Sequence, residues 1–164
     1  MEDIFNTYTL PNLSGIAATT RERIETIVRN GLDSGLGARE VARMIRKEAA
    51  GDINKNRSIM IARTEVVGAS NRGRLLAVMA SPLQHSKTWL PRVDARTRIS
   101  HYYMKDYPSI PVESDFQIAN SNGMLESLLC PGDVSRSTPS NFVNCRCGLT
   151  FSVMRDENGR VIRK

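Results

Sequence analysis

At 164 residues the chain has room for one ordinary domain and not for three, and its 40% apolar content suffices for a packed core, which excludes wholesale disorder. Apolar runs such as Leu75–Ala80 fall far short of the ~20 residues a bilayer span needs, and the acidic start Met1-Glu2-Asp3 is not that of an ordinary secretory signal. The net charge of +6 permits polyanion contact without requiring it, and it divides evenly: +3 over residues 1–80 (12 basic, 9 acidic) and +3 over 81–164 (11 and 8).

Six of the seven prolines lie at or beyond Pro82 and seven of the nine aromatics beyond residue 80, whereas Ile16 to Ala80 contains neither. Uninterrupted Arg- and Ala-rich sequence favours helix, and aromatic sequence punctuated by proline favours short strands and loops. The reading is therefore an α+β fold, with a helical half over 1–81 and a small antiparallel β half over 82–164, either two units or one compact one. A first helix is expected from a Thr19 or Thr20 cap to about Asn30, with Ile24, Ile27 and Val28 on one face and Gly31 as its stop. After Gly35-Leu36-Gly37 a second runs from Ala38 to Ala49, burying Val41, Met44 and Ile45 and ending at Gly51, so the two form a helical hairpin. A long third helix spans Asn54 to Ala80, with Ile59, Ala62, Val66, Ala69, Gly73, Leu76 and Ala80 as its apolar stripe and Ser81-Pro82 as its end. Arg63, Asn71 and Arg74 on this helix share a face and are either solvated or dock against something.

The β half opens with a strand at Ser86–Leu90, followed by the polar run Asp94–His101. Phe116 and Ile118 mark a second strand, before the turn Asn120–Gly123. Leu125–Cys130 leads into the turn Pro131-Gly132-Asp133, and a Ser-, Thr- and Pro-rich loop reaches Asn144-Cys145-Arg146-Cys147. The last strand is Gly148–Val153, and Asn158-Gly159 makes a closing turn. His85 is read as a loop residue.

Three cysteines, an odd number, argue against a paired disulfide framework and suit a reducing cytosol. Cys145-x-Cys147 places two thiols where one soft metal ion can take both. His101 and Cys130 are the remaining soft donors, with Asp94 as the substitute fourth, a set that suits tetrahedral zinc; the competing reading is three small buried hydrophobes. Asp94, Arg96, Arg98 and His101 also fit a general base beside phosphate-holding arginines, or a surface turn with an ion pair. A metal-dependent nuclease or toxin-like domain using His101 and the cysteines is the enzymatic alternative; an HNH-type site needs a second His after the Asn, and none follows His101.

The ordered set Ile61-Ala62-Arg63-Thr64-Glu65, Asn71 with Arg74, Lys87–Leu90, Asp94-x-Arg-Thr-Arg-x-x-His101, Phe116, Pro131-Gly132-Asp133 and Asn144-Cys-Arg-Cys147 resembles the Mu F-like minor head proteins of tailed bacteriophages. The resemblance covers about residues 20–153. It implies a few-copy virion component of the phage head, made in the host cytoplasm, that acts in capsid assembly and DNA packaging or delivery. The partners it implies are portal, capsid or scaffold proteins, with non-specific DNA contact and no membrane anchor. Family members are often longer, so the chain is expected to be a short version or a C-terminal piece. A glycine usual soon after the motif histidine is replaced here by Tyr102–Tyr107, and Cys130 stands at a variable position, which leaves His101, Cys145 and Cys147 as the core of a structural zinc site. Arg63 and Glu65 are then expected to pair with Asp94 or Arg96 and dock the halves.

Overall fold

The computed structural model describes residues 18–49 and 53–164; the acidic start and the Gly51 stop lie outside them. Helix α1 spans Ala18–Asp33 and buries Thr20, Ile24, Ile27, Val28 and Gly31. Thr19 and Thr20 thus lie within the helix and do not cap it, because the buried stripe begins at Thr20. Gly31 does not stop it either. A Cβ there would lie 2.6 Å from Val41 Cγ2, so the glycine is where α1 presses closest on the next helix. The helix ends at Asp33, and Gly35, with φ of +67°, lets Leu36 N–H reach Gly31 O (2.8 Å) while its own N–H reaches Leu32 O (3.0 Å).

Helix α2 (Ala38–Glu48) buries Val41, Ala42 and Ile45, and Arg46 and Lys47 in its last turn suit the negative end of its dipole. Helix α3 (Lys55–Met79) starts where the Asn54 side chain accepts the Arg57 N–H at 2.9 Å. The expected apolar stripe of α3 is only partly the buried one: Ala62 and Val66 are buried, but so are Ser58, Ile61, Thr64, Glu65, Gly68, Asn71 and Leu75, whereas Ala80 is exposed. The helix is covered on two sides, and no single stripe describes that. Ile61, Ala62 and Val66 join α1 and α2 in one apolar core, while Leu75, with Val78 and Met79 at its edge, belongs to a second core of the β half.

That second core is built by β1 (His85–Leu90), β2 (Ile110–Pro111) and β5 (Gly148–Val153), in the antiparallel order β2-β1-β5, and by the hairpin β3 (Phe116–Ala119) and β4 (Leu125–Leu128). His85 begins β1 and does not lie in a loop. It stands opposite Val153, and the register continues through Trp89 opposite Leu149 to Leu90 opposite Gly148. Short helices α4 (Ile99–Tyr102) and α5 (Pro139–Phe142) occupy stretches read as polar run and loop. Lys87 points inward from β1 and is fully buried, with its ammonium donating to Leu129 O at 2.7 Å and lying 5.1 Å from the Phe116 ring centre.

The halves meet along Thr64, Gly68, Asn71 and Leu75, a ridge at helical spacing. Gly132, with φ +82°, rests against it so closely that a Cβ would sit 2.8 Å from Gly68 Cα. Gly132→Ala is therefore expected to cost about 2–4 kcal/mol in urea unfolding, from backbone strain and overpacking together.

Glu65 faces the helical core and not Asp94 or Arg96. It is buried and neither carboxyl oxygen has a partner, so desolvation, reinforced by Glu25, raises its pKa to about 8. A fully buried isoleucine such as Ile24, Ile45 or Ile61 contributes ~1.5–3 kcal/mol, enough to hold an uncharged Glu65 in place. Raising the folded pKa above the unfolded value of ~4.3 means that stability is greatest at low pH, falls from about pH 4.5 and levels off above about pH 8. Glu65→Gln should abolish that fall, with the variant gaining a few kcal/mol on the parent between pH 5 and pH 9 in chemical denaturation.

Candidate metal centre

Cys147 stands immediately before β5, next to the end of the ladder with β1, so the strand register fixes its approach to Trp89 on β1. His101 comes from α4, reached across the turn after β1. There Asp94 accepts the Arg96 N–H at 2.9 Å, and Arg98 donates to Val143 O. These elements bring His101, Cys145 and Cys147 together, all buried, with their donor atoms within 4.8 Å of one another.

The spacing suits one ion. His101 Nδ1 lies 3.5 Å from Cys147 Sγ and 3.7 Å from Cys145 Sγ. Zinc bonds of ~2.3 Å to sulfur and ~2.0 Å to nitrogen, opened at the tetrahedral angle, put N and S ~3.5 Å apart.

The outer partners set the histidine correctly for that role. Asn141 donates its amide N–H to Glu126 Oε2 (2.8 Å), which turns its carbonyl oxygen toward His101 Nε2 at 3.2 Å. The Nε2 atom then carries the proton, and the Nδ1 lone pair faces the two sulfurs. Burial acts to raise the Glu126 pKa, but donors from Asn120, Thr138 and Asn141 outweigh it and hold the acid ionised. Trp89 packs edge-on against His101 at 5.5 Å, and its buried indole N–H, without an oxygen or nitrogen partner, bears on Cys147. The thiols divide one proton. The hydrogen bond from Cys145, with that from Trp89, lowers the Cys147 pKa, and the bond between the two thiols together with burial raises that of Cys145.

The Cys-Arg-Cys loop is clamped onto α3. Asn144 adopts φ +57°, a region asparagine tolerates, with its N–H donating to Thr64 Oγ1 (2.8 Å) and its side-chain oxygen accepting from Arg63 (2.6 Å). Asn71 donates to Cys147 O and Pro131 O, each at 3.0 Å. Arg74 lies over the Phe151 ring. The three polar residues of α3 therefore all face the β half.

Cys130 and Asp94 are not brought into the group. Cys130 is fully enclosed in the second apolar core, where burial pushes its thiol up to about 12. Asp94 forms a two-pronged ion pair with Arg146, which holds its carboxyl well below the usual range. Asp94 thus pairs with Arg146 and, at 3.6 Å, with Arg92, and not with Arg63, whose guanidinium donates to Asn144. Arg92, Arg96, Arg98 and Arg146, with Thr97 and Asn144, surround a cavity of about 20 Å³ beside His101 and Cys147, room for one water. Thr64, Trp89, Glu126 and Asn141 were not marked as site residues by the sequence. Each is far from the cysteines in the chain and of a type with many other uses; only the single tryptophan offered a signal.

Comparison with known families matches the phage Mu protein F like family over residues 22–150. The chain belongs to this family. Neither the curated proteins nor the solved structures compared with it gave a match. The matched span of this Mu F-like protein contains α2, α3, all five strands up to Thr150 and every residue of the buried cluster. The family points to phage head morphogenesis and to contact with other head proteins. No helix among the described residues is long and apolar enough to cross a membrane.

Loss of an outer partner of this kind typically weakens metal binding 10–100-fold. If the cluster holds zinc, Asn141→Ala in the Mu F-like protein is expected to do so, measured by competition with a chromophoric chelator, while the fold survives in circular dichroism.

Proposed function

We propose that this Mu F-like protein is a structural minor head protein of a tailed phage, acting in head assembly beside the portal, with His101, Cys145 and Cys147 holding a structural zinc ion. Zinc supplies no redox chemistry; its part is to cross-link, and its preference for thiolate and imidazole suits this donor set. The observation that carries the reading is the family match together with the buried cluster, whose histidine is held in the ligating tautomer by Asn141 and Glu126. A β half with a limited apolar core gains most from such a link. Portal, capsid or scaffold proteins are the partners in this reading, and packaged DNA is the neighbouring polyanion, met through its backbone without base readout.

Protein purified without an affinity tag is expected to contain about one zinc per chain by elemental analysis. Cys147→Ser should lose it, and stripping the parent with chelator should lower Tm by on the order of 10 °C. A metal-free protein of unchanged stability would remove the zinc part. The protein should also appear in purified heads and co-purify with the portal; plasmid cleavage abolished by His101→Ala would replace the structural reading with an enzymatic one.

A further inference from the structure

The basic charge that is even along the chain is concentrated in space. A groove of about 640 Å³ lies between α2 and α3, lined on its apolar part by Ala38, Ala42, Ile59 and Val67. Its cations are Arg39, Arg43, Arg46, Lys55, Arg63 and Arg146, against one carboxylate, Glu40. Two of the six are paired, Arg43 with Glu40 and Arg146 with Asp94, which leaves four uncompensated cations on one groove of a chain whose net charge is +6. The Glu40–Arg43 pair measures 2.9 Å. Arg39, Arg46, Lys55 and Arg63 form no ion pair with a carboxylate among the described residues, and the guanidinium of Arg63 donates to a neutral amide, that of Asn144.

The lining selects the kind of partner. A nucleic-acid backbone would satisfy the cations and leave the apolar part unused. None of the described lining residues is aromatic, so bases have nothing to stack on. An amphipathic segment with carboxylates along its flanks uses both components, as helices laid into grooves do.

We propose that this groove is the docking site for an acidic amphipathic segment of another head protein, with its apolar side chains against Ala42, Ile59 and Val67 and its carboxylates against Arg39, Arg46, Lys55 and Arg63. This rests on the reading of the chain as a head component and names the surface that component presents. The cations repel one another in the free protein: burial first, then Arg146, Arg96 and Arg39, lowers the pKa of Arg63. Incoming carboxylates relieve that repulsion, so binding weakens as salt rises.

The test uses the full chain and fluorescence anisotropy. The probe is a labelled helical peptide of about four turns, with leucine at every third or fourth position and glutamate elsewhere. Saturable binding is expected, about tenfold tighter than for the same peptide with serine in place of leucine. Arg39→Glu with Arg46→Glu, and separately Ile59→Asp, should each weaken it about tenfold or more. Arg39 and Arg46 are exposed, so their variants are expected to keep the parent's thermal melt; Arg39→Ser serves if the double variant does not. Absence of saturable binding, tighter binding of a DNA duplex at the same salt, or groove variants that bind like the parent would each overturn the proposal. Parent protein that enters heads yet fails to bind the peptide leaves the head-protein reading standing and removes this site alone.

Discussion

Asn71, buried in the middle of α3, donates both hydrogens of its amide to carbonyls of the β half, Pro131 and Cys147, and the candidate centre depends on that arrangement. A helix can hold two loops in register only if it presents a surface that neither loop can leave cheaply. Here the loops end on buried polar groups whose alternative is an unpaired carbonyl, at ~1–3 kcal/mol each. Thr64 two turns earlier and Gly68 between them complete the ridge: the hydroxyl takes the Asn144 amide, and the bare backbone of Gly68 admits the Gly132 turn. The sulfurs are therefore positioned from α3, the imidazole from α4, and the tautomer from α5 and β4. Four elements converge on a cluster too small for any one of them to supply.

Much of the architecture could be read from one-dimensional signals. The second helix, the start of the third and the last strand follow from caps, apolar spacing and proline, all of which act locally. The errors occur where tertiary contact overrides local preference. Gly31 reads as a stop but is a packing site against Val41, and the face of α3 was misjudged because two cores compete for it. Of the candidate ligands, the two cysteines and His101 converge, and the donors proposed for the fourth place do not. Cys130 had the right chemistry, but its position in the sequence says nothing about the apolar enclosure that claims it. The Asn141–Glu126 support left no trace in the chain, since a lone asparagine or glutamate ordinarily signifies only solvent.

Charge gives the clearest case of information absent from the sequence as a string. Equal halves of +3 suggest a diluted surface, yet residues from α2, α3 and the Cys-Arg-Cys loop gather on one groove because the same contacts that clamp Asn144 also carry Arg146 to the side of Arg63. The loop that carries Cys145 and Cys147 to the centre thus also carries Arg146 to the groove.

The pairing of β1 with β5 has a mechanical consequence. His85 faces Val153 at one end of the ladder and Leu90 faces Gly148 at the other, so the chain enters and leaves this pair on the same side. Tension applied at residues 82 and 154 would load the ladder as a zipper, one rung at a time, which resists far less than shear along parallel rungs. The rip would run inward until it reached Trp89 and Leu149, where the next joint is the sulfur–imidazole cluster. The outer rungs thus open first, and the cluster of His101, Cys145 and Cys147, beyond the inner end of the ladder, is reached last.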